Sequence, residues 1–166
     1  MATKADKALQ VFQEYVGKSE GVGEWHQVDQ AQINLFADAT GDHQFIHVDP
    51  EKAARLSPYK TTIAHGFLTL SLVPVLSGSV PRLDARAYEG VLMGVNYGLD
   101  RVRFPAPVKV DARVRARREL LEAELKAPNT IQLKNRVTIE VEGEGKPACV
   151  AETLTRLVYA DASPGG

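Results

Sequence analysis

The sequence predicts an α+β fold in which an antiparallel sheet wraps around one long central helix at about residues 65–77. Two observations predict it. The segment 63–76 is apolar on all sides and carries almost no charge, which is typical of a buried helix, with Pro74 kinking it or entering its last turn. The second half of the chain alternates apolar and polar residues with a period of two, which is typical of strands with one buried face.

The N-terminal part is predicted to contain one helix and one strand. Leu9, Phe12 and Val16 have the spacing of a single helical face. A short strand is expected to follow around residues 23–28.

Two further helices are marked by their ends. Asp29 is a good N-cap for the first, with Gln32 three residues later as in a capping box, and Gly41 is suited to end it. The next helix is expected to begin at Asp49-Pro50, because Asp is a favoured N-cap and Pro fits the first helical position. It should end before Pro58, since a residue that precedes proline is disfavoured in a helix.

The sheet is predicted from three alternating segments. They cover residues 110–117, 131–142 and 148–159. The Gly- and Pro-containing residues 143–147 form a turn, and strands joined by short turns pair antiparallel. Together these elements make one domain over residues 1–160, and residues 161–166 are expected to form a flexible tail.

Composition excludes several function classes. A chain of 166 residues with a net charge of -1 has no basic excess for nucleic acid. No apolar run approaches the roughly 20 residues that a membrane span needs, and the N-terminus has no apolar signal core. The single cysteine, Cys149, excludes an internal disulfide and is expected to be a small core residue. We therefore expect a cytoplasmic protein with neither nucleic-acid nor membrane partners.

The first chemical motif lies in residues 39–50, which are expected to form a loop between two helices. Asp42 and His47 are five residues apart, so an irregular segment can bring both side chains to one site. A carboxylate and an imidazole together can activate a water molecule and transfer its proton. The alternatives are that Asp42 only caps the following turn and that His47 is a packing residue.

The second motif is His65-Gly66, at the start of the predicted central helix. Free backbone N–H groups at a helix start favour a developing negative charge, and glycine lets a ligand approach the backbone closely. Such a backbone amide can stabilise the negative charge that develops on the carbonyl oxygen when a thioester becomes an enolate. His65 itself is expected to bind substrate or, as the favoured alternative, to hold the neighbouring loop.

The two motifs together resemble a known family. Gly41-Asp42-x-x-x-x-His47, followed by residues 64–68, resembles the MaoC-like or hydratase 2 members of the hot-dog superfamily, and looks closest to the branch of nodulation-protein-N-like dehydratases. The resemblance implies a hot-dog fold, usually dimeric by edge-to-edge pairing, and an (R)-specific enoyl-CoA hydratase or related acyl dehydratase. It implies no cofactor, with coenzyme A or a carrier protein present only as part of the thioester substrate.

The resemblance also assigns residues. Asp42 and His47 become the catalytic pair, with Asp42 favoured as the base, and Gly66 supplies the oxyanion amide. The candidates for substrate binding are Gln44, Phe45, His65, Phe67, Ser71 and Asn96. Gln44-Phe45 stands where the commoner pattern has Asn-Pro, which leaves the acyl-chain preference open.

Other interpretations compete with these assignments. His43, His47 and Asp49 lack a familiar metal-ligand spacing, so no metal is expected. The arginines of residues 113–117 are expected to lie on a solvated strand face rather than to bind a CoA phosphate. Two rival functions remain open at this point: a hot-dog thioesterase and a non-catalytic acyl-CoA-binding module, because a fold alone does not decide a function.

Overall fold

The computed structural model describes residues 2–160, so the predicted tail at 161–166 lies outside the described residues. The helices are α1 (Lys4–Tyr15), α2 (Gln30–Thr40), α3 (Phe45–Val48), α4 (Pro50–Leu56), α5 (Gly66–Ser71) and α6 (Val73–Gly78), with a 3₁₀ helix at Ala85–Tyr88. The strands are β1 (Ser19–Val22), β2 (His26–Gln27), β3 (Val91–Arg103), β4 (Arg113–Ala127), β5 (Thr130–Val141) and β6 (Cys149–Tyr159).

The strands form one antiparallel sheet in the order β1-β4-β5-β6-β3, and β2 also pairs with β4. Val114 is opposite Val141 in the β4–β5 ladder, and Val137 is opposite Ala151 in the β5–β6 ladder. Within residues 2–160 the long strand β3 pairs only with β6, which leaves its other edge without a partner strand there.

One face of the sheet is apolar and the other is polar, as predicted. On β5 every second residue from Ile131 to Val141 is buried, while the residues between them are more exposed. The apolar face carries two clusters. The larger one joins β4, β5 and β6 to α2, α5 and α6, and the smaller one joins the other end of the sheet to α1. Cys149 is fully buried in the larger cluster, which confirms its prediction as a core residue.

The central helix differs from its prediction in two ways. It is divided into α5 and α6 at Leu72, and Pro74 lies in the first turn of α6, where its missing N–H does least harm. The expectation that it is buried all round is wrong for the single chain, because Phe67 and Val75 are 69% and 64% exposed. Leu68 and Leu76 face the core instead.

In the first half of the chain, the helix caps lie at the residues that the sequence predicted. The Asp29 carboxylate accepts the Gln32 N–H at 2.8 Å, and Gly41 ends α2 with φ of 82°, a left-handed conformation suited to glycine. Asp49 caps α4 as predicted. Val16, which was predicted to share a helical face with Leu9 and Phe12, lies just after α1 as its C-cap and is exposed.

Three strands differ from the prediction. The strand expected at 23–28 is two short strands, β1 and β2, joined by residues 23–25. β4 begins at Arg113, because the residues before it turn: Asp111 has φ of 67° and donates its N–H to the Val28 carbonyl. β3 was not predicted, because its residues are mostly exposed and lack the alternating pattern of a half-buried strand.

Candidate active site

His47 lies on a short helix rather than in the irregular loop that the sequence predicted. After α2 ends, residues 42–44 lead directly into α3, and Asp49 donates its N–H to the Phe45 carbonyl at 3.0 Å. This turn of helix points His47 inward, where it is 6% exposed, whereas Asp42 stays on the exposed loop. The two side chains thus differ in environment, since His47 is buried and Asp42 is exposed.

The His47 ring has a defined tautomer. Its Nδ1 lies 2.7 Å from the backbone carbonyl oxygen of Ile63, and a carbonyl can only accept, so Nδ1 carries the proton. In the neutral ring Nε2 therefore holds a lone pair. Burial lowers the pKa of His47, against the raising effect of the Ile63 carbonyl; the neighbouring His65 lowers it further and the Asp42 carboxylate raises it. The net direction is downward, which favours the neutral, proton-accepting form.

Asp42 is held through both its side chain and its backbone. One carboxylate oxygen accepts the Gln44 N–H at 3.3 Å. Asp42 therefore does cap the following turn, as the alternative interpretation proposed. The Asp42 backbone carbonyl accepts a hydrogen bond from Nε2 of His65 at 2.9 Å. The other carboxylate oxygen has no hydrogen-bond partner in residues 2–160.

Asp42, His47 and His65 form one cluster. A carboxylate oxygen and a ring nitrogen from each histidine lie within 4.8 Å of one another. The set is chemically able to hold a water molecule between acceptors, and its donor types also suit a metal ion such as zinc. His43 and Asp49, which the sequence analysis weighed as ligands, do not join it: His43 bonds Asp38 at 2.8 Å on the surface and Asp49 caps α4. The absence of a metal stays a prediction.

Gly66 is the first residue of α5, and its N–H has no acceptor within the described part of the chain. A Cβ at this position would lie 3.0–3.2 Å from the Phe104 ring, so a larger residue would displace Phe104. Gly66 also lines a cavity of about 300 Å³ together with Tyr59, Ile63 and Phe104. The cavity thus adjoins both the amide and the residue whose carbonyl orients His47.

The other predicted substrate-binding residues are more dispersed. Gln44 is exposed on the loop, and the Phe67 ring meets the Phe104 ring edge-on at 6.2 Å. The Ser71 hydroxyl donates to the Phe67 carbonyl at 2.7 Å, and Ser71 shares a groove of about 490 Å³ with Asn96 on β3. Within residues 2–160, neither Asp42 nor His47 lines that groove. The structure therefore separates this groove from the cluster.

One residue of the site was missed by the sequence analysis. Gln30, at the start of α2, donates through Nε2 to the His47 backbone carbonyl at 2.7 Å and to Asn34 at 2.9 Å. Its Oε1 accepts the hydroxyl of Thr62, which is fully buried, at 2.5 Å. The contacts with His47 and Thr62 span 17 and 32 residues of sequence, so no local pattern could have revealed them.

Comparison with known proteins assigns the chain to a protein family. The model of the MaoC like domain family matches residues 11–142. The chain belongs to this family. It is 51% identical over 144 residues to 3-hydroxyacyl-thioester dehydratase Z of Mycobacterium tuberculosis (strain ATCC 25618 / H37Rv), which covers 86% of this chain and 90% of that protein. It is 49% identical over 145 residues to Nodulation protein N of Rhizobium leguminosarum bv. viciae, with 87% of each chain covered.

The fold of this MaoC-like chain is shared with solved structures. It matches R-hydratase PhaJ1 from Pseudomonas aeruginosa with a TM-score of 0.64 at 24% identity, over 89% of this chain and 84% of that one. The predicted hot-dog fold and the predicted family are therefore confirmed. None of the helices in residues 2–160 is long and apolar enough to cross a membrane.

Proposed function

We propose that this MaoC-like protein reversibly hydrates a trans-2-enoyl thioester to a 3-hydroxyacyl thioester. It is a hydro-lyase, since it is 51% identical over most of its length to a 3-hydroxyacyl-thioester dehydratase. The observation that carries the assignment to residues is the His47 tautomer: with Nδ1 donating to Ile63, Nε2 and the nearby Asp42 carboxylate are both acceptors. Two acceptors on one water molecule direct its two O–H bonds and leave an oxygen lone pair for the β-carbon.

The proposed proton transfers balance over the two carbons. As the water oxygen bonds to the β-carbon, one O–H bond breaks and its proton passes to the catalytic pair; the π electrons move toward the thioester carbonyl and form an enolate. The α-carbon then takes a proton from the pair, and the carbonyl is restored. We assign the base role to His47 Nε2, in place of the Asp42 preference drawn from sequence. By the ordinary values of the two side chains, imidazole is a stronger base than a carboxylate. Burial lowers the pKa of His47, which favours its neutral form.

The enolate oxygen is assigned to the free N–H of Gly66. One well-placed oxyanion donor is worth roughly 10²–10³ in rate, and acid–base help is worth roughly 10²–10⁴. These two effects need no cofactor, and coenzyme A or a carrier protein enters only with the substrate. The (R) configuration of the product and a cytoplasmic location are proposed from the sequence resemblance and composition.

We further propose a homodimer formed through the free edge of β3. Five apolar residues of this strand are 43–69% exposed in the single chain: Leu92, Met93, Val95, Tyr97 and Leu99. An unpaired edge strand with an apolar surface is a site for strand pairing or aggregation unless it is covered. A second copy paired along β3 would cover it and extend the sheet across the dimer.

One assay tests the reaction and its rivals together. The protein is incubated with crotonyl-CoA while the enoyl absorbance and the release of free thiol are followed. Loss of enoyl absorbance without thiol, with (R)-3-hydroxybutyryl-CoA identified by chiral analysis, is the expected result. Thiol release would instead favour the thioesterase, and binding without either change would favour the binding module. A longer enoyl-CoA is tested in parallel, so that a chain-length preference is not mistaken for inactivity.

A further inference from the structure

One buried side chain contacts both members of the proposed catalytic pair. His65, 3% exposed, donates from Nε2 to the Asp42 backbone carbonyl at 2.9 Å. Its ring stacks on the His47 ring with centroids 3.8 Å apart and an interplanar angle of 24°. On α2 the Phe36 ring packs against it at 4.9 Å. His65 thus lies between the loop of Asp42 and the helix of His47.

His65 offers no exposed and unoccupied ring nitrogen to a substrate. A carbonyl can only accept, so Nε2 carries the proton and is occupied by Asp42. Nδ1 is buried and has no hydrogen-bond partner in the described part of the chain. Because neither nitrogen is free and exposed, a direct contact with a thioester is disfavoured. The substrate-binding role considered from the sequence is therefore the weaker of the two alternatives.

The ring also shapes the surroundings of His47. Within residues 2–160, two titratable side chains face the His47 ring: Asp42 from the loop and His65 from the start of the central helix. The α2 residues nearby are uncharged, with Gln30 on the His47 backbone and Phe36 on His65. A flat ring stacked on His47 excludes water from one face, and a second imidazole opposes a positive charge on His47.

We propose that His65 is a positioning residue for the hydration. Its hydrogen bond to the backbone carbonyl fixes Asp42, and its stacked ring shields His47 from water and holds it in orientation. The inference rests on the proposed function of the Asp42–His47 pair. Loss of either contact should lower kcat more than it alters KM, because the reacting groups are displaced while the surfaces that bind the acyl chain remain. Misplacement of about 1 Å can cost roughly 10²-fold in rate.

Two variants separate the two contacts. His65→Phe keeps a stacked ring but loses the donor to Asp42, and His65→Gln keeps a donor but loses the stack. We expect kcat with crotonyl-CoA to fall about 10²-fold in His65→Phe with little change in KM. In His65→Gln we expect a smaller loss of kcat, and the acidic limb of the kcat/KM profile should move to higher pH, because His47 becomes wetter and protonates more readily.

The matched control is His26→Asn, since His26 is a half-buried histidine that bonds Gln32 away from the cluster. It should keep wild-type kinetics and pH profile. Wild-type kcat and an unmoved acidic limb in a folded His65→Gln protein would overturn the proposal, as would a rise in KM alone. If His65→Phe fails to fold, His65→Gln decides.

A readout without turnover keeps this test separate from the proposed function. Nuclear magnetic resonance titration of the histidine rings should show a higher pKa for His47 in His65→Gln than in the wild type. An inactive wild type with this shift would reject the hydratase and keep the positioning role. An unshifted His47 in an active enzyme would reject the positioning role alone.

Discussion

The side-chain amide of Gln30 donates to the backbone carbonyl of His47 at 2.7 Å and accepts the Thr62 hydroxyl at 2.5 Å. A single amide thereby ties the start of α2 to the helix of the proposed base and to the chain that leads into α5. His47 is held at its ring by Ile63 and at its backbone by Gln30. Its orientation is thus fixed by two elements that lie far apart in the sequence.

Replacing Gln30 should therefore misplace His47. Gln30→Leu removes every side-chain hydrogen bond while keeping similar size, and we expect a loss of kcat of roughly 10–10²-fold. It also leaves the buried Thr62 hydroxyl without this acceptor, at a cost of about 1–3 kcal/mol in the free energy of unfolding. Steady-state kinetics and urea unfolding measure the two effects. The control is Gln32→Leu on the same helix. Among the described residues the Gln32 side chain bonds His26 alone, so this change should leave kcat unchanged.

Removing either member of the proposed catalytic pair should abolish most of the activity. We expect Asp42→Asn and His47→Gln each to lower kcat by roughly 10²–10⁴-fold, because size and polarity remain while proton transfer is lost. The melting temperature of Asp42→Asn should stay close to that of the wild type, since this side chain is exposed. Asp38→Asn, another exposed aspartate nearby, is the control. Near-normal turnover in either variant would remove that residue from the mechanism.

The pH dependence follows from the lowered pKa of His47. The neutral base should persist below the ordinary imidazole pKa of about 6.5, so kcat/KM for hydration should fall only when the pH drops below that value. The unfolded chain takes up the same proton at the ordinary pKa, so the free energy of unfolding should also decrease as the pH falls through this range. A kcat/KM profile whose acidic limb lies above 6.5 would contradict the assignment of His47 as a neutral base.

The proposed dimer makes its own prediction. Leu92→Lys places a charge on the free edge of β3, and the symmetry of a dimer would bring two such charges together. We expect this variant to shift toward monomer at micromolar concentration, as measured by light scattering, while the wild type is a dimer. The control Leu125→Lys changes an exposed leucine near the C-terminal end of β4, away from the free edge of β3, and should leave the dimer intact. A monomeric wild type would rule the dimer out.

Local signals in the sequence were sufficient for the caps and for the strands β5 and β6, but not for contacts between distant segments. Asp29 and Gly41 were predicted because capping is a local backbone requirement. β3 was missed because a strand at a free edge has no alternating burial within one chain. Asp42 and His47 were singled out as candidates by their motif. The contact of Ile63 with His47 depends on the fold, which brings the Ile63 carbonyl to a residue 16 positions away.

The last prediction concerns Phe45, which lies in the sequence between the proposed catalytic residues Asp42 and His47. It begins α3, is half-buried, and its ring lies 4.9 Å from the Lys52 ammonium on α4. That contact is directed toward α4, so we expect Phe45 to support the α3 turn rather than to limit the acyl chain. Phe45→Ala should lower kcat for short and long enoyl-CoAs together, since a displaced His47 affects every substrate equally.

A chain-length series from crotonyl-CoA upward measures this effect, and Phe45→Leu is the control that keeps most of the packing. If Phe45 limited the tunnel instead, removing it would favour longer substrates by about 1–3 kcal/mol for each methylene newly accommodated. Such a gain would appear as a crossing of the wild-type and Phe45→Ala curves of kcat/KM against chain length. Parallel curves support the packing role, and crossing curves would overturn it.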